Sequence, residues 1–221
     1  MSDKNFKGKI ENYPAIFNHF EPNKEKLKEA KIKYKTPNKK YFYLHRERDE
    51  RFFKKGDKII SSTRTLKPAF TFTEDEFYGS RALNFIKTDR INLRYLTGIF
   101  NSKLSHIWLK YMGKMTGELL QIYKSQLMSI PIFNANDDQQ NEVADLVTNI
   151  ISTKQKQLDY KALLEKAKSE NNFDREIQLT KELEQFSKNI SQAESKINTI
   201  IFELYGLDSS EIATIEKNIN L

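Results

Sequence analysis

A chain of 221 residues that is 38% hydrophobic and 30% charged, with 7 Gly and 5 Pro, has the composition of a helix-rich folded protein of one large domain or a domain plus an appendage. It contains no cysteine, which excludes disulfides, thiolate catalysis and sulfur-ligated zinc. Its three histidines, His19, His45 and His106, are too scattered to put two imidazoles on one helix face. The net charge of +7 is unevenly placed: residues 1–133 carry 27 Lys+Arg against 14 Asp+Glu, whereas residues 134–221 carry 10 against 16.

From the N-terminus, Pro14 suits the first turn of a helix, and Pro22-Asn23 marks a break and restart, so residues 13–32 read as one or two short helices. Tyr41–Leu44, Lys58–Ser62, Ala69–Thr73 and Ala82–Lys87 alternate aromatic and β-branched residues between turns at Gly56-Asp57 and Tyr78-Gly79-Ser80. They predict a small mixed sheet. Leu93, Leu96, Phe100, Leu104, Ile107, Trp108 and Tyr111 recur at helical spacing and predict one helix with Trp108 on its apolar stripe. Gly113–Gly117 breaks it, and Gln121–Phe133 reads as an extended segment that closes the domain. Asn136 or Asp137 then caps a helix with Val143, Leu146, Ile150, Tyr160, Leu164 and Ala167 in heptad register, weakened at Thr153 and Gln157. After a turn over Ser169–Phe173, Leu183, Phe186, Ile190, Ala193, Ile197, Ile200 and Leu204 repeat at 3 and 4, which predicts an antiparallel two-helix hairpin. Gly206 ends it, and Asp208 with Glu211 opens a last short helix by a capping box. The expected fold is α+β: a small mixed α/β domain over residues 1–133, then a coiled-coil hairpin over residues 134–221 with a short C-terminal helix.

The basic first part is what phosphate binding requires, since each neutralised phosphate releases condensed counterions. Between Tyr41 and Lys67, arginines and small hydroxyl residues alternate with aromatics, and arginine forks suit guanine edges and phosphates. The residues singled out for DNA contact are Arg46, Arg48, Arg51, Lys58, Ser61, Arg64, Lys67 and Arg81, with Lys114, Thr116 and Lys124 around the glycine loop.

The stretches Tyr13-Pro14-Ala-Ile, Tyr43-Leu-His-Arg, Gly56-Asp57-Lys58-Ile59-Ile60, Tyr95-Leu-Thr-Gly-Ile-Phe-Asn101-Ser102-Lys103-Leu104, Gly117-Glu-Leu-Leu-Gln121-Ile122 and Leu127-Met-Ser-Ile-Pro131-Ile132 stand in a distinctive order. With Gln140, Val143-Ala144, Ile197–Leu207 and Glu211-Ile212 they resemble the C-terminal specificity domain of TaqI-like and type IIG restriction-modification methyltransferases, related to a target-recognition unit of type I specificity subunits. Asp57 stands where that family often has Pro, and Tyr41 or Phe42 where it usually has Trp. The resemblance implies a bacterial module that enters the major groove of double-stranded DNA, and a coiled coil that sets spacing or docks a methyltransferase or restriction subunit.

No Gly-x-Gly occurs and all five prolines are isolated, so neither a methyl-donor loop nor an Asn/Asp-Pro-Pro-aromatic motif is present. Glu29-Ala-Lys31 and Glu194-Ser-Lys196 have a nuclease-like Glu-x-Lys spacing but follow no apolar strand. The expectation is a non-enzymatic specificity part with no cofactor and no metal, in the cytoplasm and away from the membrane, since no leader or spanning stretch is evident. Other readings are a coiled-coil interaction adaptor, a homodimer through the hairpin, and a non-specific nucleic-acid binder.

Overall fold

The computed structural model describes residues 6–219, which divide into two compact units after Arg51. The first unit holds α1 (Pro14–Phe20) and α2 (Lys24–Lys33), separated by a single turn of 3-10 helix at Glu21–Asn23. Pro14 occupies the first turn of α1 and Pro22 marks the break, as their fixed φ and missing amide require. Tyr41–Leu44 forms no strand. The segment turns on itself and its rings pack on one another instead: Phe42 and Tyr43 meet edge to face at 4.7 Å, and Phe6 meets them at 6.2 and 6.4 Å. The buried Lys31 ammonium donates to the Tyr43 carbonyl, which ties α2 to this cluster.

The second unit contains two three-stranded antiparallel sheets where the sequence suggested one mixed sheet. Strands β1 (Lys58–Ser62), β3 (Phe70–Thr73) and β4 (Leu83–Ile86) are ordered β3-β1-β4, and β2 (Arg64–Thr65), β5 (Lys114–Thr116) and β6 (Leu119–Gln121) are ordered β2-β6-β5. Thr63 carries the chain from one sheet to the other. Its amide donates to Ala82 O and its carbonyl accepts from the Ile122 amide. Asn84 adds a second stitch by donating to Ser61 Oγ and to Ile122 O. Ile59, Phe70 and Phe72 of the first sheet and Leu120 of the second share one core with Ile122.

The apolar stripe from Leu93 is split into α3 (Leu93–Asn101) and α4 (Lys103–Met112). The break has an identifiable cause: Ser102 is extended, its hydroxyl accepts from the Ser105 amide, and the Lys103 amide is taken by Asn198 Oδ1. A cap from within the chain and one from a distant helix satisfy amides that a continuous helix would have bonded internally. Trp108 is half-buried against the sheet core. Helix α5 (Lys124–Ser129) replaces part of the extended stretch expected over Gln121–Phe133.

The hairpin consists of α6 (Asp137–Ser169) and α7 (Phe173–Leu204), and α8 (Ser209–Ile219) follows. Its signals were local and the structure carries each of them: Asn136 and Gln139 form a reciprocal capping box, Gly206 sits at φ +66°, and Asp208 and Glu211 cap α8 reciprocally. The weak heptad positions are polar links: Thr153 bonds Asn149, and Gln157 donates across to Ser187.

Helix α3 joins hairpin to sheets. Seven of its nine residues are buried, with Leu93, Leu96 and Phe100 in the sheet core and Tyr95 and Ile99 among Val143, Val147, Ile197 and Ile201. Tyr95 donates to Phe133 O, and Tyr205 donates to Pro131 O while accepting from the Phe133 amide.

Burial, reinforced by Tyr205, pushes the Tyr95 phenol up to about 12. A raised phenol pKa means the unfolded chain ionises first, so this stability is present below about pH 10 and is lost as pH rises toward 12. In a pH series of urea melts, Tyr95→Phe should be about 1 kcal/mol less stable at pH 8, for the lost hydrogen bond. The gap should close or reverse above about pH 11, where the unfolded wild-type chain gains by ionising Tyr95 and the Phe variant has no phenol to ionise.

Candidate nucleic-acid interface

The second sheet has the more exposed strands: β5 is exposed throughout, whereas β1 is buried over four of its five residues. In antiparallel pairs, directly opposite residues point to the same face. Arg64 lies opposite Gln121, and Gln121 lies opposite Lys114, so the three form one row across β2, β6 and β5. Thr116, opposite Leu119, shares that face. The alternate row, Thr65, Leu120 and Met115, turns the other way, and Leu120 enters the core. Burial of Leu120 fixes the register, and the two cations of the other row, Arg64 and Lys114, are exposed while Gln121 between them is buried.

The β5–β6 ribbon turns at Gly117, whose φ of +59° favours glycine and around which a Cβ would meet nothing within 4 Å. The tip is thus open and narrow. Arg64, Lys114 and Thr116 are exposed, and Gln121 is nearly covered between them with its amide donating to Thr116 Oγ1. Lys67 follows β2 and Lys124 opens α5 beyond β6, both exposed. Burial, with Lys110 and Lys67 nearby, holds His106 below the ordinary imidazole value, so it adds no positive charge at neutral pH. Exposed Met112, Met115, Leu119 and Tyr123 interleave with these cations along the same segment.

The structure treats the other singled-out residues differently. Lys58 is fully buried; its ammonium donates to the carbonyls of Lys54 at 2.9 Å and Gly56 at 3.0 Å, and burial lowers its pKa. Ser61 is also buried and accepts from Asn84. Both hold the turn and the sheet junction. Arg81 is exposed just before β4. Arg46, Arg48 and Arg51 are exposed in the first unit, with Arg51 paired to Asp49 at 3.0 Å. Gln121 and Glu118 were not singled out from sequence. What reveals Gln121 is its place between two cations, which depends on strand pairing across 57 positions of chain.

Lys58→Met should therefore cost about 1–3 kcal/mol of stability, because two carbonyls lose a charged donor. It should leave the affinity of the folded protein for DNA unchanged in a binding titration.

A family model described as the TaqI-like C-terminal specificity domain matches residues 7–132. The chain belongs to that family. The match takes in both helices of the first unit, both sheets and α3 to α5, so the ribbon and its cationic row are part of the specificity domain. The hairpin begins at Asp137, just beyond the matched residues. No curated protein matches the chain.

Proposed function

We propose that this specificity domain reads duplex DNA through the solvent face of its second sheet, with the β5–β6 ribbon entering the major groove. The observation that carries the reading is the pair of exposed cations Arg64 and Lys114 on one face of the second sheet, flanking the buried Gln121 and next to the open tip at Gly117. A two-stranded ribbon fits the major groove, where arginine or lysine pairs with guanine, glutamine with adenine, and a carboxylate such as Glu118 accepts from cytosine. Lys67, Lys124 and Arg81, all exposed, would serve as phosphate contacts that set orientation.

The bound site would direct a methyltransferase or endonuclease of a restriction-modification system, and the hairpin would dock or space that partner. Leu158, Leu163, Phe173 and Ile177 are exposed in the half of the hairpin that leads to its turn, apolar surface that its two helices leave uncovered, which favours a protein contact there. A second copy of the chain is one such partner.

Selection from a random duplex library at two salt concentrations tests the assignment. Enrichment of one motif that persists at the higher salt is the expected result. Salt-sensitive binding with no motif would make the chain a non-specific binder.

A further inference from the structure

The two exposed cations of the second sheet share their face with an apolar pair. Residues two apart along a strand point to the same side, so Leu119 lies on the side of Gln121 and Thr116 on the side of Lys114. Thr116 and Leu119 are also directly opposite each other. The face therefore carries two adjoining rows: Arg64, Gln121 and Lys114, then Leu119 and Thr116 nearer the turn at Gly117.

Leu119 is not used in the core. Its neighbour Leu120 is the residue that the register sends inside, 1% exposed, whereas Leu119 is 37% exposed. A single exposed leucine needs no function. This one is set apart by its place at the end of a narrow ribbon, on the face of Arg64 and Lys114 and across from a threonine. Strand β2 pairs with β6 only at Gln121 and Leu120, so it does not reach Leu119. Thr116 is exposed, and its Oγ1 accepts from the Gln121 amide, so what it adds to the apolar surface of Leu119 is its methyl. Among the base edges of the major groove, the apolar group is the 5-methyl of thymine, which stands beside the donors and acceptors that charged and amide side chains read.

We propose, resting on recognition by the second sheet, that Leu119 with the Thr116 methyl reads the 5-methyl group of a pyrimidine and so determines specificity at one position of the site. Thymine presents this methyl in unmodified DNA and 5-methylcytosine presents it in modified DNA.

The test uses the full chain and the duplex obtained by selection, with affinities from anisotropy titrations. Each thymine is replaced in turn by uracil and each cytosine by 5-methylcytosine, changes of one methyl that leave base pairing intact. Burial of one methyl corresponds to about fourfold in affinity. The expected result is a position where the methylated base binds about fourfold more tightly than its unmethylated form, with this step lost in Leu119→Ser. The series that shows the step, uracil or 5-methylcytosine, names the source of the methyl. No methyl-dependent gain in the unchanged chain, which needs no variant to fold, or a gain of the same size in Leu119→Ser, would overturn the proposal. Arg64→Ala/Lys114→Ala separates the two ideas. If it loses the duplex while the methyl step is indifferent to Leu119, the methyl contact alone has failed. If selection yields no motif, or if the double variant binds as well as the unchanged chain and no step depends on Leu119, recognition by the second sheet has failed and the methyl contact with it.

Discussion

Replacing Arg64 and Lys114 together by alanine is expected to weaken binding to the selected duplex by about a hundredfold or more, since each base or phosphate contact contributes about 1–3 kcal/mol. Both side chains are exposed on the same face and neither enters a core, so the melting transition should barely move. Anisotropy titrations with the selected and a scrambled duplex separate the two roles. Loss confined to the selected duplex marks base reading, whereas equal loss on both, with a salt slope smaller by about one per residue, marks phosphate contact. Binding that survives the double replacement would remove the second sheet from recognition altogether.

A clear loss of stability is expected from adding a side chain at Gly98. A Cβ there would sit 2.5 Å from Val143 Cγ1 and 3.4 Å from Val147 Cγ2, closer than packed carbons allow. Val143 is fully buried, so it has no open space into which to swing. Gly98→Ala should therefore cost about 1–3 kcal/mol through overpacking of α3 on α6, reduced by up to about 1 kcal/mol from alanine's better helix propensity. Gly98→Leu should cost more and loosen the hairpin from the sheets. Val143→Ala vacates the volume that the new methyl needs, so the double variant Gly98→Ala/Val143→Ala should be more stable than the sum of the two single costs. Strict additivity in urea melts would show that α3 and α6 do not meet at this point.

What was legible in the sequence was mostly local. The cap at Asn136 or Asp137, the capping box at Asp208, the left-handed stop at Gly206, the turn over Ser169–Phe173 and the clean heptads of α7 each depend on residues a few positions apart, and they placed the hairpin to within a residue or two. The α+β class followed from the same periodicities. The division of the strands into two sheets was not legible, because Thr63 switches sheets through bonds to Ala82 and Ile122, far along the chain. The split between α3 and α4 was hidden for a similar reason: Asn198, 95 positions away, satisfies the Lys103 amide.

The candidate site shows the same pattern. Composition identified a basic, aromatic-rich part, but it could not tell Lys58, whose ammonium is committed inside to two carbonyls, from Arg64, six residues on and exposed. Gln121 carried no signal of its own, since only the pairing of β6 between β2 and β5 sets it between two cations. A basic count is a property of the chain, whereas a recognition row is a property of strand register.

The most direct test of the reading surface is amide hydrogen exchange of the full chain with and without the duplex that selection yields. The expected result is protection over Arg64–Lys67 and Gly113–Lys124, with the hairpin around Leu158–Ile177 unchanged. Protection confined to the hairpin, with the β5–β6 ribbon exchanging as fast as in the free protein, would contradict recognition by the second sheet.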